Sequence, residues 1–199
     1  MSKREEKGVN SNDKLLLVTS NENKFREISE VAKSYGIKIE WLNIPKFEIQ
    51  ADNLEEIVRY SAITIYQVIR KPLIVEDSGL FINALNGFPG PYTNYVRRKL
   101  GLEGILKLLN NVEDRSAYFK TVMCYVSDKE INLFTGVVNG RISERIRGEK
   151  GFGFDPIFIP ENEERTFAEM STEEKNKYSH RAKAFMSFLN YYMRENRKT

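Results

Sequence analysis

KLLLVTSNENKFREISEVAKSYGIKIEWL, residues 14–42, decides the fold. Lys14 to Thr19 is a short continuous apolar run, which suits a strand buried on both faces. Ser20 to Asn23 interrupts it with small polar residues. Phe25, Ile28, Val31, Ala32 and Tyr35 then recur near helical spacing. Gly36 stands where helices stop, and Ile37 to Leu42 reads as a second strand. Strand, polar turn, helix, strand is the opening of a parallel α/β unit.

Working outward, Pro45 to Asn53 is a loop or extended arm, and Leu54 to Ile69 is a helix presenting Leu54, Ile57, Val58, Ser61, Ala62 and Ile65 on one face. Leu73 to Val75 is a buried strand with Glu76-Asp77-Ser78-Gly79 at its C-terminal end. Gly87 to Pro91 is a constrained loop. Two short helices follow, near Thr93 to Leu100 and Leu102 to Leu109. Ser116 to Val126 and Ile131 to Ile146 read as antiparallel strands, with turns at Ser127-Asp128 and Asn139-Gly140. Pro156 to Ile159 is another apolar run. Ser179 to Arg194 is a last helix, with Ala182, Phe185, Met186, Leu189 and one of Tyr191 or Tyr192 inward. The expectation is a mixed α/β fold: a long, partly parallel sheet flanked by helices, with an antiparallel portion in the second half. Residues 14–199 form one domain behind a polar N-terminal tail, residues 1–13.

Composition narrows the function classes. The chain has 199 residues, 41% hydrophobic, with a net charge of +3 from 31 basic and 28 acidic side chains. That excess is too small for a polyanion-binding surface, so nucleic acid is not an expected partner. The single cysteine, Cys124, forbids an internal disulfide and a cysteine zinc site, and the single histidine, His180, forbids a histidine-rich metal site. No apolar stretch approaches the roughly 20 residues of a membrane helix, and the N-terminus lacks a secretory apolar region. A reducing cytoplasm is the expected location.

Five segments carry chemistry. Thr19-Ser20-Asn21-Glu22-Asn23-Lys24 lies between a buried strand and a helix N-terminus, where free N–H groups and a lysine favour phosphate; alone, it equally reads as an ordinary helix cap. In Glu76-Asp77-Ser78-Gly79, alternation along a strand sends only one of the two acids into a given cleft, where it can hold Mg²⁺ or orient water; the alternative is a solvated turn with Gly79 at positive φ. Glu48 is a second acceptor for a cation, and by itself an exposed loop acid. Gly151-Phe152-Gly153-Phe154-Asp155-Pro156 sets an aromatic between two glycines, which suits stacking on a flat base. Phe152 is expected to stack, Phe154 to fold into the core, and Asp155 to accept from a base N–H. Finally, Lys175, His180 and Arg181 flank the start of the last helix. Lys175 and Arg181 donate and cannot accept, which favours a 6-oxo over a 6-amino purine.

Taken together and in order, these motifs resemble the inosine/xanthosine triphosphate pyrophosphatase (Ham1-like) family, with Gly87-Phe88-Pro89-Gly90, Tyr92 and Ala168-Glu169-Met170 adding to the match. The resemblance implies an elongated, ITPase-like α/β fold, also described as anticodon-binding-like, with two lobes, a central cleft and a homodimer. It implies hydrolysis of ITP, dITP and XTP to monophosphate and pyrophosphate, with Mg²⁺ and, as a tolerated substitute, Mn²⁺. It assigns Thr19, Ser20, Asn21, Glu22, Asn23, Lys24 and Ser78 to the triphosphate. Asp77 becomes the catalytic acid/base group and, with Glu48, a metal ligand. Phe152, Gly153, Phe154, Asp155, Lys175, His180 and Arg181 fall to the base. Asn94 stands where many bacterial members carry arginine. A pyrimidine-directed pyrophosphatase of the related Maf type and a nucleotide sensor without turnover are the rival readings.

Overall fold

The computed structural model describes residues 15–195; the tail expected at residues 1–13 lies outside them. Seven strands form one mixed sheet: β1 (Leu15–Val18), β2 (Ile39–Leu42), β3 (Leu73–Ile82), β4 (Pro89–Gly90), β5 (Ser116–Val126), β6 (Ile131–Ile142) and β7 (Phe158–Pro160). The spatial order is β2-β1-β3-β5-β6-β7, with β4 added to the far end of β3. β1 pairs in parallel with β2 and β3, and the remaining pairings are antiparallel. The helices are α1 (Glu22–Ser34), α2 (Leu54–Ile69), α3 (Thr93–Lys99), α4 (Gly101–Leu108), α5 (Thr172–Asn176) and α6 (His180–Glu195). Among the described residues no helix is long and apolar enough to cross a membrane.

Strand alternation separates two layers. Leu15, Leu17, Ile74, Met123 and Tyr125 pack with α1 and α6 on one face, through Ile28, Ala32, Phe185, Phe188 and Leu189. Val18, Leu73, Val75, Val122 and Cys124 pack on the other face against Leu54, Val58, Ala62 and Ile65 of α2. Both faces are covered, which is why these strands read as continuous apolar runs. A third cluster joins Leu80, Ile82, Phe119, Val138, Phe154, Phe158 and Phe167 to α3 and α4.

Three expectations are corrected. β3 does not end at Val75: it runs ten residues, and Glu76-Asp77-Ser78-Gly79 lies inside it, paired throughout with β5. Gly79 accordingly has no positive φ. Asn139-Gly140 is not a turn but lies within β6, where Gly140 leaves room for the backbone of β7. On α6, Phe188 is fully buried and Met186 only partly, because that helix packs across β5 and β6 at a slight offset from the expected stripe.

The extension of β3 positions the site. β1 covers Leu73, Ile74 and Val75, and β4 covers Leu80 and Phe81. Between them, on the β1 side, the edge of residues 76–79 is unpaired by any described strand. The sheet splits there at the carboxyl end of β1, the place where open α/β sheets take ligands.

Candidate active site

Beside this split lies a cavity lined by residues from distant parts of the chain: Thr19, Ser20, Asn21 and Lys24 from the β1–α1 turn, Lys46 and Glu48 from the loop after β2, Asp77 and Ser78 from β3, Asn94 and Arg97 from α3, Phe152 to Asp155, and Lys175, His180 and Arg181. Ser78 and Asp77 point to opposite faces of β3, yet the unpaired edge lets both reach one cavity.

At one end sit the acids. Glu76 is fully buried; Lys24 Nζ lies 2.9 Å from its Oε1 and Arg181 Nε 3.7 Å from its Oε2. Burial alone would push this carboxyl up; Lys24, Arg181 and Lys46 outweigh it and hold it down at about 2. Lys24 Nζ also reaches Asp77 Oδ1 at 3.4 Å. Ser78 Oγ lies 2.6 Å from Thr121 Oγ1 across the β3–β5 pair and accepts from Arg181 Nη2 at 3.1 Å. Glu48 is half exposed and pairs with Lys46 Nζ at 3.2 Å.

The β1–α1 turn is at once a cap and a cavity wall. Asn21 Oδ1 accepts from the N–H groups of Asn23 (3.0 Å) and Lys24 (3.3 Å), and Thr19 Oγ1 accepts from the Asn21 N–H at 3.2 Å. The carbonyl oxygen of Asn21 is thereby committed to the helix, while Thr19, Ser20 and Asn21 all line the cavity. Glu22 and Asn23, expected at the triphosphate, lie outside it: they occupy the solvent side of the first turn, where Glu22 pairs with Arg26 at 3.0 Å.

At the other end is the aromatic loop. Gly151 and Gly153 both have positive φ, and the turn they allow brings the Phe152 N–H to Asp155 Oδ2 at 2.8 Å. Phe152 stands at the cavity wall with Lys175 Nζ 4.7 Å and the Arg181 guanidinium 5.4 Å from its ring centre. Phe154 is buried in the third core cluster, as expected. Asp155 is buried, and its Oδ2 accepts from Lys175 Nζ at 2.6 Å. Burial pushes the Asp155 carboxyl up, against the pull of Lys175. His180 stacks on Phe119, centroids 4.7 Å apart, with Nδ1 unpartnered. Burial, with Arg181 and Lys175 nearby, holds its imidazole well below the ordinary range, so it is neutral at neutral pH.

Three charged residues at the site carry no expectation from sequence. Glu27, buried on α1, accepts from Lys175 Nζ at 2.7 Å and from Arg181 Nη1. Its signal was there: Lys24, Glu27, Ile28 and Val31 share one helical stripe, and an acid within an apolar stripe faces inward for a reason. Arg97 lies one turn beyond Asn94 and donates from Nε to the Gly153 carbonyl at 2.8 Å. Lys46 is a loop lysine that nothing in the sequence marks.

Comparisons with known proteins find relatives over most of the chain. A dITP/XTP pyrophosphatase of Saccharolobus solfataricus is 58% identical over 89% of this chain and 93% of its own. One from Hyperthermus butylicus is 50% identical over 85% and 90%. Among solved structures, a HAM1 protein of Coxiella burnetii superimposes with a TM-score of 0.80 at 28% identity, covering 91% of this chain and 98% of that one. The Staphylococcus aureus Ham1 protein gives 0.77 at 28% identity, over 92% and 99%. Residues 15–191 match the Ham1 family throughout, and the chain belongs to that family.

Proposed function

We propose that this protein is a divalent-cation-dependent pyrophosphohydrolase that cleaves the non-canonical purine triphosphates ITP, dITP and XTP to the monophosphate and pyrophosphate, removing them from the nucleotide pool. The observation that carries the reading is the single cavity with Lys24, Asp77 and Ser78 at one end and Phe152 and Arg181 at the other, bridged by the 3.1 Å bond from Arg181 to Ser78. That arrangement suits a ligand with a polyphosphate at one end and a flat ring at the other.

The donor set fits a hard cation. In and directly beneath the cavity, Glu27, Glu48, Glu76, Asp77 and Asp155 balance Lys24, Lys46, Arg97, Lys175 and Arg181, five against five, with His180 neutral. A triphosphate brings roughly four negative charges to a site with no net charge, so it needs a cation partner. Glu48 and Asp77 would hold it, their oxygens completed by phosphate and water. When bound, Mg²⁺ (Mn²⁺ as a substitute) supplies charge neutralisation at the phosphates and acidifies water.

The protein's own residues do the rest. Asp77 orients the attacking water and accepts its proton. The water oxygen bonds to the α-phosphorus and stays in the monophosphate, the bond from the α-phosphorus to the α–β bridging oxygen breaks, and pyrophosphate leaves with the bridging oxygen. Lys24 and the positive end of the α1 helix dipole stabilise the leaving charge. Phe152 stacks on the base. Lys175 and Arg181 favour a 6-oxo purine, because a 6-amino group facing donors leaves each unpaired at a cost of about 1–3 kcal/mol. The reading extends to a homodimer in the cytoplasm, for which sedimentation is the first check.

Product analysis with ITP, XTP, GTP and ATP, with and without Mg²⁺, tests the substrate. In ¹⁸O-water the label belongs in IMP and not in pyrophosphate; the reverse would place the attack on the β-phosphorus. Asp77→Asn should keep the fold and lose turnover by on the order of 10²–10⁴-fold. Near-normal pyrophosphate release by that variant would remove Asp77 from its role.

A further inference from the structure

Lys46 is buried, its side chain 8% exposed, although it belongs to the loop between β2 and α2. Its Nζ donates to the backbone carbonyl of Glu76 at 2.9 Å, an acceptor left free because β1 has ended and β4 has not begun. The second contact is Glu48 Oε1 at 3.2 Å. An ammonium carries three N–H donors, so these two contacts leave one over, in a wall of the same cavity that Lys24 lines.

The ordinary account is a lysine placed to neutralise the acids of β3, and Asp77, Glu76 and Glu48 do all favour its charged form; but Lys46 makes no direct contact with either carboxylate of β3, which have nearer cations. Glu76 already has Lys24 at 2.9 Å and Arg181 at 3.7 Å, and Asp77 has Lys24 at 3.4 Å. The direct carboxylate partner of Lys46 is Glu48, half exposed and itself assigned above to the cation. Once Glu48 turns to that cation, the Lys46 ammonium keeps a carbonyl and no directly paired acid. Its remaining N–H donors then face the cavity with Asp77 and Glu76 nearby but not in contact, and a phosphate oxygen there can accept from them.

We infer that Lys46 is a second triphosphate-binding cation, delivered from the loop after β2 to act opposite Lys24. The inference rests on the proposed function for the identity of the ligand, and its test is chosen to be read separately. Calorimetry with the magnesium complex of inorganic tripolyphosphate needs no turnover and no base. Lys46→Met should bind it about tenfold more weakly, the loss of one charge-assisted contact, and Lys46→Arg should stay within about threefold of the native protein. In turnover, Lys46→Met should raise the KM for ITP by a similar factor and weaken inhibition by IMP less, because the monophosphate brings one phosphate to this end of the cavity and the triphosphate three. Lys46→Gln repeats the neutral substitution with a polar side chain should the methionine variant prove unstable. Tripolyphosphate affinity within about twofold of native in both neutral variants, or equal weakening of IMP, would overturn the inference. A native protein inactive on ITP would instead remove the proposed function, and the tripolyphosphate comparison would still decide the role of Lys46.

Discussion

At Glu27 one buried carboxylate holds both base-end cations: Lys175 at 2.7 Å and Arg181 on the other oxygen. Burial alone would raise its pKa; Arg181 and Lys175 outweigh that and hold it below the ordinary 4.5. Because the folded value is depressed, the stabilisation is complete above about pH 4.5 and is lost as acidification carries the pH down through the folded value. Glu27→Gln leaves two buried cations short of an anion, so it should cost roughly 3–5 kcal/mol near neutral pH, a fall in Tm on the order of 10 °C. The gap between native and variant should shrink as the pH is lowered past 4.5. Scanning calorimetry from pH 7 to pH 3 checks both points, and a gap that widened in acid would contradict the assignment. The contrast with Phe152 shows what sequence makes legible at this scale. An aromatic between two glycines has few packing options, so its place at the cavity wall could be read. Phe154, expected to fold into the core, does so in the third cluster. Lys46 could not be read, because a buried lysine and a solvated one look alike until the sheet edge that receives it is known.

At the scale of elements, the strands and helices that alternate cleanly were legible and the one that mattered most was misjudged in length. The α2 boundaries, Leu54–Ile69, follow from its apolar stripe and Asn53 cap. β3 was cut short because Glu76-Asp77-Ser78-Gly79 has the composition of a turn; its pairing with β5 over all ten residues overrides that local preference. A second override lies where α6 crosses β6. At Gly136 an added Cβ would fall inside contact distance of the His180 carbonyl oxygen and the Ala184 nitrogen, backbone atoms that cannot swing aside. The first turn of α6 carries His180 and Arg181, so its seating on β6 sets where the guanidinium lies. Gly136→Ala should therefore do two things together: destabilise by roughly 1–3 kcal/mol and raise the KM for a 6-oxo purine triphosphate severalfold, through Arg181. A thermal scan with steady-state kinetics measures both, and a variant with native Tm and native KM would show that the helix is not held this closely.

At the scale of the molecule, the segments Thr19–Lys24, Glu76–Gly79, Gly151–Asp155 and Lys175–Arg181 are legible as separate motifs, and their meeting in one cleft follows from the family resemblance alone; physically it depends on β3 bridging the parallel and antiparallel halves of the sheet. Glu22 and Asn23 were read into the site for the same reason, since a motif carries no information about which of its side chains turn inward. What the assembled site adds is its charge. Five carboxylates against five cations leave it without net charge, so attraction for a triphosphate cannot come from surplus lysine and arginine. Most of those cations are already bound to acids: Lys24 to Glu76, Lys175 and Arg181 to Glu27. A bare triphosphate would have to compete with these pairs, whereas one accompanied by a divalent ion brings its own neutralisation and uses the free oxygens of Glu48 and Asp77. Affinity for a non-hydrolysable α,β-imido ITP should therefore fall by more than about tenfold when Mg²⁺ is replaced by EDTA, while inosine, which carries no phosphate, should bind equally in both. Calorimetry in the two buffers at matched ionic strength separates the cases. Equal affinity for the analogue with and without Mg²⁺ would mean that the cations of the cavity release their acids on binding, and that the charge balance does not govern substrate capture.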